Sequence, residues 1–292
     1  MPPRFRLERW EAFFTFQPTG HIMDCAGFFP QRLSMEEGMR MQELLTMQNV
    51  TARYQSPDGE LTAAQNISLT VSQGEFVSIV GPSGCGKSTL LTIMAGLKPP
   101  SEGQVLLDGE PITGPGGKIG YMLQKDNLLE WRTIYKNILL GLEIRNRLTP
   151  EHIEYARGLL RTYGLWDFRD RYPSELSGGM RQRVALIRTL AVKPEIFLLD
   201  EAFSALDYQT RLTVTDDIYS ILRREGQTMV MVTHDIPESV SMSDRVIVLS
   251  GRPARIKRIH AIDLGENPPL KRRDDPRFNE YSNEIWKELR ES

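Results

Sequence analysis

The sequence has little of what marks most specialised chains. Among 292 residues there are two cysteines, Cys25 and Cys85. Two cannot form the framework of bridges that staples small secreted domains, so a reducing compartment is the default. No apolar run approaches the roughly 18 residues that would span a bilayer; the longest are short pieces such as "IFLL". The N-terminus shows no charged-then-apolar leader, "FFTF" being too short for one. The chain is therefore expected to be neither inserted nor secreted by itself, while remaining free to bind a membrane protein. Charge of one sign is also missing. The net charge is -2, and without a basic stripe the electrostatic footprint of a nucleic-acid binder is absent. Internal repeats, low-complexity tracts and sustained heptads are lacking too. What remains, 40% hydrophobic and 25% charged, is enough to build the core of one large α/β domain with appendages, or of two small domains.

The texture of the chain changes twice. Residues 1–43 are rich in aromatics, Met and Pro and follow no sustained period. Three readings stand: a start assigned too far upstream, with Met41 or Met47 the working start; a poorly ordered extension; or a segment that docks on a partner through its aromatics. From Leu44 to Arg258 strands and helices alternate. "EFVSIV" is a short β-branched run of the kind buried on both faces in parallel sheets, and it ends at a glycine loop followed by the amphipathic "KSTLLTIMAGL". Strand, glycine loop and helix open a nucleotide-binding α/β unit. Between Gln124 and Leu176 the pattern turns helical, which makes room for a helical subdomain over about residues 127–190. One helix there has Thr149 as cap, Pro150 at its first position and Gly164 as stop. Past Ser250, "RPARIKRIHAIDL" reads as a strand or hairpin. A tail over 259–292 then ends in an amphipathic helix capped by Asp275 and opened by Pro276. Phe278, Tyr281, Ile285 and Leu289 share one face of that helix, which either docks on its own domain or serves a partner.

Three motifs carry chemistry. "GPSGCGKS", Gly81 to Ser88, fits the phosphate-loop pattern at every fixed position. Backbone N–H groups of Gly81, Pro82, Ser83, Gly84, Cys85 and Gly86 (proline excepted) can wrap a polyphosphate. Lys87 supplies a point charge, and Ser88 a hydroxyl to Mg²⁺. Cys85 is a small filler or a reactive thiol. "IFLLDEA" is an apolar strand ending in two acids: Asp200 is placed to hold Mg²⁺, and Glu201, one residue further, to polarise an attacking water. In "LSGGM", Leu176 to Met180, Ser177 can cap the next helix, and Gly178 and Gly179 leave its N-terminus bare as a second anion site.

Taken in order, "GPSGCGKST", "LSGGM" and "LLDEAFSALD" resemble the phosphate loop, signature, and Mg-site strand with D-loop of ABC transporter ATP-binding subunits. The resemblance covers about Leu44 to Arg258. It implies a P-loop NTPase of the ABC type, an α/β fold with a RecA-like core, an antiparallel β subdomain and a helical signature subdomain. It also implies two subunits paired head to tail, each ATP lying between the phosphate loop of one and the signature of the other, where Ser177 would hydrogen-bond the partner's γ-phosphate. Thr89 joins the phosphate loop. Gln124 matches the glutamine that reaches Mg²⁺ and water, His234 the switch histidine, Asp207 the D-loop aspartate of the dimer interface, and Tyr54 the aromatic that stacks on adenine. Met180 departs from the pattern, since many relatives carry Gln there.

A narrower likeness, in "QKDNLLEWRTIYKNILLGLE", "SGRPARI" and "DPRFNEYSNEIWKEL", is to ATPases of importers for nitrate, sulfonates, taurine and pyrimidine precursors of thiamine. It implies ATP and Mg²⁺ as cofactors, integral-membrane permease subunits as partners, an extracytoplasmic binding protein that delivers the solute, and a peripheral place on the cytoplasmic face of the membrane. Trp131 is then either helical packing or part of the groove that receives the permease. Rival readings are ABC-type ATPases of ribosomes or DNA repair, and exporter or lipid-extraction ATPases of the same fold. One motif set per chain, no long coiled coil and no basic stripe argue against the first pair.

Overall fold

The computed structural model describes residues 42–56 and 59–291. Of the stretch 1–43 only Gln42 and Glu43 are among them, so the three readings of that stretch lie outside the described residues.

The chain runs β1 (Glu43–Ser56), β2 (Gly59–Ser72), β3 (Phe76–Val80), α1 (Lys87–Met94), β4 (Glu102–Leu107), the two-residue β5 (Glu110–Pro111) and β6 (Ile119–Met122). Helices α2 (Ile134–Ile144), α3 (Pro150–Thr162) and α4 (Gly178–Leu190) follow. The rest is β7 (Ile196–Asp200), α5 (Tyr208–Arg224), β8 (Thr228–Val232), α6 (Ile236–Met242), β9 (Arg245–Leu249), β10 (Ile256–Ala261), α7 (Pro269–Arg272) and α8 (Pro276–Arg290). One sheet is antiparallel, in the order β2-β1-β4-β5. The other has six strands in the order β10-β9-β3-β8-β7-β6, all parallel except β10, which turns back along β9.

The central strands are mostly apolar because both their faces are covered; Ser78 in the middle of β3 is paired with the Ser243 hydroxyl. Alternate side chains then enter different cores. Val77, Ile79, Leu198, Val230 and Val232 meet α1 and the antiparallel sheet on one side. Phe76, Phe197, Leu199, Met229 and Met231 meet the helices on the other, where Ile138, Leu160 and Ile187 fill the space. Helices α2, α3 and α4 thus share their core with the sheet that carries the strand-end residues.

Local signals set the helix ends. Thr149 accepts from the His152 N–H, Pro150 opens α3, and Gly164 follows it at φ +70°, a conformation that costs glycine nothing. The C-terminal helix docks on its own domain. Asp275 caps it, and Phe278 and Ile285 are buried against Val80, Ile236, Val240, Val246 and Val248. Trp131 is 74% exposed and is not among the side chains that pack the helical core, so the packing reading does not hold.

Candidate active site

Parallel strands deliver their C-terminal ends to one edge of a sheet, and here that edge collects the chemistry. Adjacent in space, β3 runs into the phosphate loop, β8 into Thr233 and His234, β7 into Asp200 and Glu201, and β6 into Leu123 and Gln124. Residues from 124 to 234 become neighbours because the strand order is 3-8-7-6 rather than sequential.

The loop between β3 and α1 is held from several sides. Lys87 is buried, and its Nζ donates to the carbonyls of Gly81 at 2.9 Å and Pro82 at 3.0 Å, which places the charge inside the loop. Gly86 has φ +119°, and a Cβ there would lie 2.8 Å from the Ala63 carbonyl oxygen of β2. No L side chain fits that backbone, so the loop can close under α1 only with glycine. Cys85 is buried with its Sγ beneath Gly81, as a filler would be. From the turn between β9 and β10, the exposed Arg252 donates to the Gly84 carbonyl at 2.5 Å. Tyr54 bonds Thr89 through its hydroxyl at 3.0 Å, and Lys98 Nζ sits 3.0 Å from the ring centroid. Burial pushes this phenol up, but the Thr89 hydrogen bond and Lys98 outweigh it and hold the group below its usual range.

Asp200 has both oxygens assigned: Ser88 Oγ donates to Oδ1 at 2.9 Å, and the Tyr121 hydroxyl to Oδ2 at 3.1 Å. Burial, then the Asp200 charge, push the Tyr121 phenol well above its usual value, so it remains a neutral donor. Glu201 is a non-glycine residue at φ +47°, a strained conformation. Its own backbone pins it: the N–H donates to Val232 O at 2.9 Å, and its carbonyl accepts from Ser204 N at 3.1 Å and Ser204 Oγ at 2.9 Å. The Glu201 carboxylate lies 3.3 Å from His234 Nδ1. Gln124 Nε2 donates to Ser204 Oγ at 2.9 Å. A cavity of about 530 Å³ is lined by Ser88, Gln124, Asp200 and Glu201.

The oxygen donors Ser88, Asp200 and Gln124 fit Mg²⁺, which takes few protein ligands and leaves the rest to phosphate and water. Among the described residues there is no group of three or more His, Cys, Asp or Glu placed to hold a metal.

The "LSGGM" stretch stands apart from the phosphate loop in chain and packing. Ser177 caps α4 and accepts from the Met180 N–H. Ser177 and Gly178 are exposed, whereas Gly179 is buried, and a Cβ on it would press Val214 at 2.9 Å and Thr210 at 3.3 Å. Close packing on α5 is thus by itself a reason for that glycine. Asp207 caps α5, accepting from Thr210 N at 3.0 Å. Leu176 and Met180 pack partly into the core beneath.

Sequence reasoning missed four groups that the fold brings in: Tyr121, Ser204, Lys98 and Arg252. Ser204 and Arg252 lay in stretches quoted above but without an assigned role; Tyr121 and Lys98 meet the site through strand pairing and loop closure. It also missed a clamp between the Gln124 loop and α4. Arg181 grips Asp126 through two hydrogen bonds of 2.8 and 3.1 Å and reaches Glu130 at 2.7 Å. Arg188 donates to the carbonyls of Asn127 and Asp126. Burial pushes the Asp126 carboxyl up, but Arg181 outweighs it and holds the group below the usual range. Arg181→Ala is expected to lower the unfolding free energy by about 1–3 kcal/mol in urea titrations, since the pair is bidentate and half-buried. Asp126→Asn added to it should cost little more, because the partner is already gone.

Fold and site together define an α/β phosphate-loop nucleotide-binding protein. The family model described as ABC transporter matches residues 64–204. The chain is 47% identical to the ABC transporter ATP-binding protein YtlC of Bacillus subtilis (strain 168), over 84% of this chain and 95% of that protein. It is 41% identical to the nitrate import ATP-binding protein NrtD of Synechocystis (80% and 90% covered). It is 39% identical to the taurine import ATP-binding protein TauB of Burkholderia pseudomallei (strain K96243; 81% and 93%). A dimeric structure of the cassette MJ0796, in a post-hydrolysis state with ADP and Pi, superposes with a TM-score of 0.64 at 32% identity, covering 75% of this chain and 99% of that one. The chain belongs to the ATP-binding proteins of ABC transporters, a family of transport ATPases. Among the described residues no helix is long and apolar enough to cross a membrane.

Proposed function

We propose that this chain is the Mg²⁺-dependent ATPase subunit of an importer for a small solute of the nitrate, sulfonate or taurine kind, or for a pyrimidine precursor of thiamine. The observation that carries it is the line of strand ends that brings the Ser88–Asp200 pair, Glu201 and His234 to one edge of the sheet. The relatives NrtD and TauB support the import reading.

Tyr54 stacks the base, and Lys87 with the loop amides from Gly81 to Thr89 holds the phosphates. Ser88, Asp200 and Gln124 hold the metal, whose charge neutralises phosphate oxygens when bound. Glu201 orients the attacking water and takes its proton, while His234 contacts the γ-phosphate. Lys87 and His234 stabilise charge that develops on the transferring group, so the rate comes from positioning and electrostatics. Ser177, Gly178 and Gly179 complete the site of a second copy paired head to tail, with Asp207 at that interface. Closure by ATP and release after hydrolysis drive integral-membrane permease subunits, to which a binding protein outside delivers the solute. The domain works at the cytoplasmic face of the membrane, with residues 44–258 as the motor, about 127–190 as its signature-bearing part, and the exposed Trp131 facing the permease.

The test is to tag Glu201→Gln, load it with ATP and Mg²⁺ in solubilised membranes from its own cells, and identify what co-purifies. A multi-span permease supports the reading, and the ligand of the accompanying binding protein then names the solute. Recovery of only ribosomal or DNA-repair proteins overturns transport.

A further inference from the structure

His234 stands on a three-residue turn, Thr233–His234–Asp235, between β8 and α6. Its ring is more than half exposed and lies against Glu201. A histidine in that position has no core around it, so its placement depends on what holds the turn.

Both flanking residues are tied to one residue of α6. Glu238, in the first turn of α6, is 4% exposed. Its Oε2 accepts from Thr233 Oγ at 2.5 Å, and Thr233 Oγ itself accepts from the Asp235 N–H at 3.0 Å. On the other flank, the Glu238 N–H donates to Asp235 Oδ1 at 2.9 Å, and Asp235 Oδ2 pairs with Arg211 of α5 at 3.2 Å. The loop thus closes around Glu238: its carboxyl group fixes the residue before His234, and its amide fixes the residue after. A buried carboxyl is expensive unless it is hydrogen-bonded, and helix formation alone asks for none here.

We propose that Glu238 is the positioning residue of the switch turn, acting on ATP turnover only through His234, and strongly only when its carboxyl group is ionised. This rests on the role given to His234 above. An ionised carboxylate takes the Thr233 hydroxyl in a charge-assisted hydrogen bond, which is about twice as strong as a neutral one.

The surroundings decide when it ionises. Arg211 from α5 and His234 favour the charged form, and Asp235 opposes it. At the far end of α6, Arg272 of α7, beside Asp244, donates to the carbonyls of Ser241 and Ser243. The other neighbours bring apolar groups: Val80 from β3, Val246 and Val248 from β9, and Phe278 and Ile285 from α8. Burial dominates and pushes the Glu238 carboxyl up to about 7. The turn is therefore held tightly above that value and loosely below it.

The experiment is steady-state ATP hydrolysis by the full chain from about pH 6 to pH 8.5, for wild type, Glu238→Gln, Glu238→Ala, His234→Ala and the double variant His234→Ala/Glu238→Ala. Glu238→Gln, neutral at every pH, should match wild type at about pH 6 and fall about fivefold below it in kcat at about pH 8, with KM for ATP unchanged. Loss of fold does not account for that drop. A carboxyl whose folded pKa is raised stabilises the fold below its unfolded value and loses that contribution as pH rises through about 7. The Gln variant should therefore melt at or above wild type at pH 8. Glu238→Ala should lose about tenfold in kcat on its own and nothing further in the His234→Ala background. Superimposable pH profiles of wild type and Glu238→Gln, or additive losses in the double variant, would overturn the proposal while leaving the ATPase reading standing. Unchanged turnover in His234→Ala would overturn the proposal together with the role given to His234, and would leave the ATPase activity itself standing.

Discussion

Glu201→Gln is expected to bind MgATP as wild type does and to lose steady-state hydrolysis by about a hundredfold or more, the usual contribution of a positioned general base. Its carboxylate lies at the end of β7, beside the cavity lined by Ser88 and Asp200 and 3.3 Å from His234. Gln keeps the shape and the hydrogen bonding but cannot take the proton from water. Because the chemical step stalls with ATP in place, the variant should also accumulate as a dimer in size-exclusion chromatography with ATP and Mg²⁺. Phosphate release by Glu201→Gln within a few-fold of wild type would remove Glu201 from the mechanism. Loss of ATP binding instead would mean that the strained backbone at φ +47° depends on the carboxylate, which would make the residue structural first.

Gly86→Ala should lose nucleotide binding rather than turnover of bound nucleotide. At φ +119° the new methyl would stand 2.8 Å from the carbonyl oxygen of Ala63, which already accepts the Ala254 N–H at 2.9 Å and cannot withdraw freely. Either β2 shifts or the loop flips, and a flipped loop no longer aims its amides inward. An affinity loss on the order of a hundredfold is expected by fluorescence titration with a labelled ATP, about the worth of two charge-assisted hydrogen bonds. Far-UV circular dichroism should show the helices retained, because α1 is buried on its own account through Leu90, Leu91 and Met94. Wild-type affinity in this variant would show that the loop relaxes around the methyl and that Gly86 is not required by geometry.

The motifs were legible because each is short and contiguous. Gly81 to Ser88 states its own loop, and Ser177, Thr149 and Asp275 sit where side-chain oxygens can cap the helices that follow them. The strands Phe76–Val80, Ile196–Asp200 and Thr228–Val232 could be read as buried on both faces for the same reason, since a run dominated by apolar residues without alternation leaves no face for water. Tyr121, Ser204 and Glu238 were not legible. Tyr121 meets Asp200 because β6 happens to lie beside β7, and Glu238 matters because α6 turns it inward beneath Thr233.

What the sequence determined by itself is therefore local: where the elements begin and end, which faces are apolar, and which loops carry phosphate-binding or acidic groups. These depend on spacings of a few residues, over which backbone geometry is nearly invariant. What only the tertiary structure decided is adjacency. The order β3-β8-β7-β6 puts Lys87, His234, Glu201 and Gln124 along one edge, and the packing of Gly179 on α5 gives one signature glycine a duty inside its own chain. Pairing between distant strands is settled by the burial of both sheet faces at once, a property of the whole chain that no short window contains.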